Sequence, residues 1–304
     1  MAGRGARSGS EELRGVYLPL ITPFAADGSV ALDSLEALAN RYLDAGATGL
    51  VPLGTTGESP MLDADEKRAV VDVCSRVSVE RGTQLIVGAG TNSTKATIEA
   101  VGALADVPGL TAAMCVVPYY VRPSQAGIVA HYVEIAQSSS VPIVAYNIPA
   151  RTGRELEPDG MLELARTSKI IGVKQASAGL DANTLRILAE APSDFALLGG
   201  EDPFLFPVVL MGAVGAICAS AHVLTDRFVA MIECALAGKV EEGRAHHEAL
   251  LPVIAACFAE PNPAVFKAVL HAQGLIPTPS VRLPLTDASP TARDRALAAI
   301  DAAS

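Results

Sequence analysis

The chain has 304 residues and a formal net charge of -10, and 50% of its residues are hydrophobic while 18% are charged. This supply of apolar residues excludes a disordered chain and is sufficient for a large core. The acidic balance disfavours nucleic acid and anionic membrane surfaces as partners, because both recruit lysine and arginine. We therefore expect a small-molecule substrate.

Residues 1–13 are predicted to form a flexible tail. Their sequence begins MAGRGARSGSEE and lacks the apolar run that a signal peptide needs. No apolar run elsewhere reaches the length of about 18 residues that a membrane span requires. The five cysteines are widely spaced in apolar stretches, which predicts buried, reduced thiols. These features predict a cytoplasmic protein.

After the tail, short runs rich in valine, isoleucine and leucine alternate with longer segments of helical period. The short runs predict eight strands, which are Val16 to Thr22, Gly49 to Leu53, Gln84 to Gly88, Ala112 to Val117, Pro142 to Tyr146, Ile170 to Lys174, Phe195 to Gly199 and Gly215 to Ala219. The segments between them predict helices such as Leu32 to Ala45, Asp63 to Val79, Ser93 to Ala105, Gln125 to Ser138, Pro158 to Thr167 and Asp181 to Ala191.

Strands that are apolar on both faces and followed by helices indicate a parallel sheet covered on both sides. Eight such units predict a (β/α)8 TIM barrel, here over residues 14–238. An open, doubly wound sheet is the alternative, but Gly88-Ala89-Gly90 lacks the third glycine of a nucleotide fingerprint. A C-terminal helical extension over residues 239–304 is predicted from three further segments, which are Val240 to Phe258, Pro263 to Gln273 and Pro290 to Ala302.

The active site of such a barrel lies at the carboxyl ends of its strands. Lys174 ends one predicted strand, and Tyr146 ends the strand before it. Desolvation disfavours the charged form of an amine, so Lys174 is a candidate nucleophile toward a carbonyl group, with the Tyr146 phenol as a proton carrier. The alternative interpretations are a lysine that reaches solvent and an ordinary core tyrosine.

The segment GTTGE at 54–58 follows the second predicted strand. A sharp turn there would point backbone N–H groups and the hydroxyls of Thr55 and Thr56 toward a carboxylate. An ordinary glycine turn, with Glu58 in the first turn of the next helix, is the alternative. Arg151 is either a second carboxylate ligand or a solvated loop residue. The five histidines show no ligand spacing, so neither a metal nor a cofactor is predicted.

Six motifs occur in one order along the chain, and these are GTTGES at 54–59, PYYVRPS at 118–124, YNIPARTG at 146–153, IIGVK at 170–174, GGED at 199–202 and EPNP at 260–263. With them the chain resembles the dihydrodipicolinate synthases, also called 4-hydroxy-tetrahydrodipicolinate synthases. That family is part of the pyruvate-dependent class I aldolase superfamily, which also contains N-acetylneuraminate lyase. The resemblance extends from about Arg14 to about Thr286.

The resemblance implies a lyase that condenses pyruvate with L-aspartate 4-semialdehyde in lysine and diaminopimelate biosynthesis. It implies an imine on Lys174 and a proton relay of Thr55, Tyr120 and Tyr146. Tyr120 would come from the adjacent subunit of a tight dimer, and two dimers would form a homotetramer. The positions that it implies in substrate binding are Thr56, Arg151, Gly200 and Ile217.

Three departures from the family pattern leave the second substrate open. Gln175 replaces an acid, Glu201 replaces a common aspartate, and residues 218–222 read CASAH. One alternative is therefore a sister aldolase or dehydratase that acts on a 2-oxo-3-deoxy sugar acid or a related 2-oxo acid. A non-catalytic sensor of 2-oxo acids is the other alternative.

The resemblance also predicts that lysine inhibits this chain weakly or not at all. Relatives that respond to lysine hold its ammonium with a glutamate in a cleft that histidines line. This chain has Ala96 at the glutamate position, and Ala64 and Lys67 at the histidine positions. A pocket rebuilt with other acids could compensate, and Glu58 is the candidate acid.

Overall fold

The computed structural model describes residues 13–177 and 179–304. Of the predicted tail, residues 1–12 lie outside this range, and the Leu13 side chain is buried. All eight predicted strands occur in the described residues, as β1 Gly15–Leu18, β2 Gly49–Leu50, β3 Gln84–Gly88, β4 Leu110–Val116, β5 Ile143–Asn147, β6 Ile170–Gln175, β7 Ala196–Gly199 and β8 Gly215–Ile217.

Helices follow the strands throughout the described residues, and their bounds are α1 Leu32–Asp44, α2 Ala64–Arg81, α3 Thr94–Gly102, α4 Gln125–Ser138, α5 Pro149–Thr152, α6 Pro158–Leu164, α7 Ala182–Glu190, α8 Leu205–Leu210, α9 Thr225–Leu236, α10 Val240–Cys257, α11 Ala264–Ala272 and α12 Pro290–Ala303. Several N-termini carry the side-chain caps that favour helix initiation. In α2 the cap is a reciprocal pair, because Asp63 accepts from the Glu66 N–H while Glu66 accepts from the Asp63 N–H.

Strands β1 to β8 form a closed barrel in chain order. The pairing of β5 with β6 and of β6 with β7 is parallel. The predicted (β/α)8 barrel is therefore confirmed, and helices α10 to α12 follow it. The boundary at residue 238 between a barrel and a helical extension stays a prediction.

The largest differences from the predicted elements have local causes. Strands β1 and β2 end early, and Pro19 and Pro52, which cannot donate a ladder hydrogen bond, lie just beyond them. Helix α8 reads LFPVVL and has no polar position that would reveal a helical period. Helix α5 is a single turn between Pro149 and Gly153, too short to show a period.

The described residues cluster into two compact units. The first includes Ala89–Ala105 and Ala112–Ala216 and contains β5, β6 and β7. The second includes Val16–Gly88, Asp106–Thr111 and Ile217–Ser304 and contains β2, β3 and helices α10 to α12. In the second unit these three helices share a buried core with Ala219, and the core includes Val253, Cys257, Val265, Phe266, Val269, Ala296 and Ile300.

No described helix is both long and apolar enough to cross a bilayer. All five cysteines are buried free thiols, as predicted.

Candidate active site

The structure brings Lys174 and Tyr146 together, as the sequence predicted. They are register partners on the adjacent strands β6 and β5, so their side chains project from the same side of the sheet. Both are buried, with 7% and 5% of their surfaces exposed. The Lys174 Nζ lies 4.4 Å from the centroid of the Tyr146 ring. A buried amine thus lies against the face of a phenol at a strand end.

Gly200, just beyond β7, lies against the stem of Lys174. Its backbone N–H donates to the Gln175 carbonyl oxygen at 2.8 Å. A Cβ at this position would lie 2.8 Å from the Lys174 Cγ and 2.9 Å from its Cε. The lysine stem occupies the space that a Cβ would need, so any other residue here would displace the stem.

Glu201 and Arg151 add two charges near the lysine. Burial, followed by the negative charge of Asp202, raises the pKa of the Glu201 carboxyl, while the cations Lys174 and Arg151 oppose that rise. Arg151 is exposed on the single turn α5. The first unit therefore presents a phenol and a guanidinium on and after β5, an amine on β6 and a carboxyl after β7.

Buried amides hold the loop that carries Arg151. The Asn147 amide donates to the Leu156 carbonyl at 3.1 Å and accepts from the Leu156 N–H at 3.0 Å, so it closes the loop between them. The same amide donates to the Gln175 Oε1 at 3.2 Å. Gln175, which departs from the family pattern, is thus a buried hydrogen-bonding link between β5 and β6.

Tyr120 lies in the segment that follows β4. Its side chain is 87% exposed, and its backbone has a positive φ of 72°. Tyr119 and Val121 beside it are also exposed. The segment 119–121 therefore presents apolar surface to its surroundings, and a role for Tyr120 stays a prediction.

The predicted GTTGE turn follows β2 as a 3₁₀ turn over Thr55–Gly57. The Thr56 side chain is buried, and its Oγ1 accepts from the Asn262 Nδ2 at 3.0 Å. Glu58 ends the turn in the left-handed conformation, with φ 54° and ψ 31°. The alternative that Glu58 lies in the first turn of the next helix is wrong, because α2 begins only at Ala64 after a second 3₁₀ turn.

Glu58 forms an ion pair with Lys267 in which both side chains are 0% exposed. The Lys267 Nζ lies 2.6 Å from the Glu58 Oε1 and 3.9 Å from the centroid of the Phe24 ring. Burial lowers the pKa of the Lys267 ammonium to about 8, although the Glu58 charge opposes this shift. Lys267 was not among the site residues predicted from the sequence. The available signal was a single lysine in the otherwise apolar run AVFKAVL.

Arg282 joins the same network. Its backbone N–H donates to the Glu58 Oε2 at 2.8 Å, and its guanidinium contacts both oxygens of Glu66 at 2.6 and 2.5 Å. The guanidinium carbon lies 4.4 Å from the Phe24 ring centroid. Hydrogen bonds from Arg282 lower the pKa of the Glu66 carboxyl.

The remaining predicted site residue, Ile217, ends β8 and is fully buried. The predicted site residues are divided between the two compact units. The first unit contains Tyr120, Tyr146, Arg151, Lys174 and Gly200, and the second contains Thr55, Thr56 and Ile217.

A parallel barrel with a buried lysine and a tyrosine at one strand end has the parts of an enzyme that forms an imine with a carbonyl substrate. Sequence comparison is more specific. The chain belongs to the Dihydrodipicolinate synthetase family, which it matches over residues 12–303.

A relative from Moorella thermoacetica, the 4-hydroxy-tetrahydrodipicolinate synthase, is 41% identical over 285 residues, which cover 94% of this chain and 96% of the relative. A solved monomeric dihydrodipicolinate synthase variant superposes with a TM-score of 0.93 at 32% identity, covering 97% of this chain and 98% of the other. The dihydrodipicolinate synthase of Acinetobacter baumannii, solved in complex with pyruvate, has a TM-score of 0.91 at 32% identity, with coverages of 96% and 99%.

These comparisons confirm the resemblance stated from the motifs. They also confirm the predicted activity, that of a lyase of the 4-hydroxy-tetrahydrodipicolinate synthase type.

Proposed function

We propose that Lys174 forms an imine with pyruvate and that the resulting enamine condenses with L-aspartate 4-semialdehyde. The observation that carries this proposal is the buried Lys174 amine, 4.4 Å from the Tyr146 ring centroid and packed against Gly200. A primary amine attacks a carbonyl carbon as a nucleophile, and the adjacent phenol is able to exchange protons with the reacting atoms.

In the proposed first step the Lys174 nitrogen attacks the carbonyl carbon of pyruvate and forms a carbinolamine. The carbinolamine loses water, with the Tyr146 phenol supplying the proton that departs with the hydroxyl. Loss of a methyl proton gives an enamine, whose terminal carbon bonds to the aldehyde carbon of the semialdehyde. The aldehyde oxygen takes up a proton and becomes a hydroxyl group, and the C=N bond of the imine forms again. The amino group of the semialdehyde then attacks the imine carbon, closes the ring and releases Lys174. The imine nitrogen accepts the electron pair, so the mechanism includes no metal or cofactor.

The other site residues receive their roles from the family pattern. Arg151 would bind the carboxylate of the semialdehyde, and its exposed guanidinium is suited to a bidentate contact. Thr56 would bind the carboxylate of pyruvate, and Thr55 would relay protons. Gly200 and Ile217 would line the space that pyruvate occupies.

Tyr120 is proposed to act from the partner subunit of a dimer, with two dimers in a homotetramer. Its 87% exposed side chain and the exposed apolar neighbours Tyr119 and Val121 support an interface at this segment. One solved relative is a monomeric variant, so the oligomeric state needs its own measurement.

Mixed subunits test the shared site. Subunits with Tyr120→Phe and subunits with Lys174→Ala should each be nearly inactive, and hybrid dimers should regain part of the activity. Hybrids that form, as seen by native mass spectrometry, and stay as inactive as their parents would contradict the proposal.

The cytoplasm is the proposed location. The buried free thiols of all five cysteines support it, because reduced cysteines are typical of that compartment.

Borohydride reduction tests the central step. With pyruvate present, it should attach one three-carbon unit to Lys174, and the Lys174→Ala variant should trap none. Wild-type protein that traps no pyruvate, or that traps it on another lysine, would overturn the proposal. A parallel assay with the semialdehyde and with 2-oxo-3-deoxy acids identifies the second substrate, and binding without turnover would indicate a sensor.

A further inference from the structure

One short segment near the C-terminus of the chain holds the turn that carries Thr55 and Thr56. Asn262 donates to the Thr56 Oγ1 at 3.0 Å, and Lys267 contacts the Glu58 Oε1 at 2.6 Å. These two residues are linked by the first turn of α11, in which the Lys267 N–H donates to the Pro263 carbonyl. The segment thus holds the turn at two points, one on each side of Gly57.

The turn needs external support. It is a single 3₁₀ turn over Thr55–Gly57, and so short a helix is not stable by itself. Glu58, which ends it, has the left-handed backbone that residues with a Cβ adopt only when the surrounding structure imposes it. Both Glu58 oxygens are engaged, one by Lys267 and the other by the Arg282 N–H.

Stability alone does not account for the ion pair. Both partners are 0% exposed, and a buried ion pair contributes little or no more to stability than apolar side chains of similar volume. The ion pair instead fixes local geometry, because a charge-assisted hydrogen bond between two buried groups sets their distance and orientation. One of the two oriented groups belongs to Glu58, the residue that ends the Thr55–Gly57 turn.

We propose that Glu58 and Lys267 are positioning residues, and that their ion pair, together with Asn262, sets the Thr55–Gly57 turn in the geometry that binds the carboxylate of the 2-oxo acid. This inference rests on the proposed function, in which Thr56 contacts that carboxylate. It implies that the affinity for pyruvate depends on a charge pair that touches no substrate.

The test uses variants that keep side-chain size. Glu58→Gln removes the negative charge, and Lys267→Met removes the positive charge. The double variant Glu58→Gln/Lys267→Met removes both, so it leaves no unpaired charge in the interior. Glu66→Gln is the matched control, because it breaks the contact of Arg282 with a different acid and does not touch the turn. For each, we would measure the unfolding midpoint and the pyruvate concentration that half-saturates imine trapping.

We expect the half-saturating pyruvate concentration to rise about tenfold or more in the double variant, while its unfolding midpoint returns toward that of wild type. Glu66→Gln should shift the midpoint and leave pyruvate binding unchanged. A purely structural pair predicts the opposite for the double variant, which is wild-type pyruvate binding once stability is restored. That result would overturn the inference.

If the charge variants do not fold, Asn262→Ala provides the second measurement. It removes one hydrogen bond to Thr56 and keeps the ion pair, so a several-fold rise in the half-saturating pyruvate concentration is expected. An unchanged value would contradict the inference. Wild-type protein decides the proposed function separately, because failure to trap pyruvate there overturns both proposals, whereas normal trapping with unchanged variants overturns only this one.

Discussion

In the described residues two buried lysines lie over aromatic rings, and they differ in their ion pairing. The Lys174 ammonium is 4.4 Å from the Tyr146 ring centroid, and the Lys267 ammonium is 3.9 Å from that of Phe24. Lys267 is paired with Glu58 at 2.6 Å, whereas Lys174 has no ion pair within the part of the chain that the structure describes. A charge-assisted hydrogen bond fixes the position of the ammonium that makes it. The comparison separates a lysine that a carboxylate holds in place from one that no carboxylate contacts among the described residues.

The largest expected effect comes from removing the hydroxyl of Tyr146, whose ring lies beside Lys174. Tyr146→Phe keeps the ring and removes the proton carrier, so turnover should fall about 10²- to 10³-fold, within the usual range for a general acid or base. Steady-state kinetics with both substrates would measure this loss. The matched control is Tyr132→Phe, because the Tyr132 hydroxyl donates to the Cys115 carbonyl at 2.7 Å.

That control should lower the free energy of unfolding by about 1 kcal/mol and leave turnover unchanged. Equal losses of turnover in the two variants would mean that the Tyr146 hydroxyl has no special role.

A smaller effect is expected when the stem of Lys174 is displaced. In Gly200→Ala the new Cβ would lie 2.8 Å from the Lys174 Cγ, so the amine must shift. A misplacement of about 1 Å costs up to about 100-fold in rate, and we expect a loss of about 10- to 100-fold in the rate of imine trapping. Gly102→Ala is the control, since a Cβ there meets nothing within 4 Å. Trapping by Gly200→Ala at the wild-type rate would contradict the proposed packing.

Inhibition by free lysine depends on whether Glu58, the partner of Lys267, is available to bind it. Glu58, the acid considered as a replacement, is buried and paired with Lys267, so it cannot replace the glutamate missing at Ala96. A lost charge-assisted hydrogen bond is worth about 1.5–3 kcal/mol, which corresponds to an affinity for lysine about ten- to a hundredfold weaker. Steady-state assays at neutral pH should therefore show no inhibition by submillimolar lysine. Inhibition in that range would falsify the prediction.

The smallest effect concerns stability and the buried His131. Burial lowers the pKa of His131 from 6.5 to about 4. The unfolded chain therefore binds a proton between pH 6.5 and 4 while the folded chain does not, so stability falls as the pH falls through this window. A shift of this size corresponds to about 3 kcal/mol at most. In His131→Phe the unfolding midpoint should depend less on pH across the same window, and an unchanged dependence would contradict the assignment.

The two lysine sites were not equally predictable. Lys174 and Tyr146 end neighbouring predicted strands, and in a parallel barrel the ends of neighbouring strands lie side by side. Their approach therefore follows from strand order alone. Lys267 and the Arg282 N–H lie 209 and 224 residues from Glu58 in sequence, and no local periodicity relates such distant positions. The EPNP motif contains Asn262, but the motif alone does not show that this amide bonds to Thr56.

By itself, the sequence determined the alternation of strands and helices, the closed barrel and the lysine with its phenol. These features depend on local hydrophobic period and on the order of adjacent strands. Only the tertiary structure decided that Glu58 is a fully buried partner of Lys267, that its backbone is left-handed and that Gly200 makes room for the Lys174 stem. Such features depend on which distant atoms share a space of a few ångströms, and that is settled by packing of the whole chain.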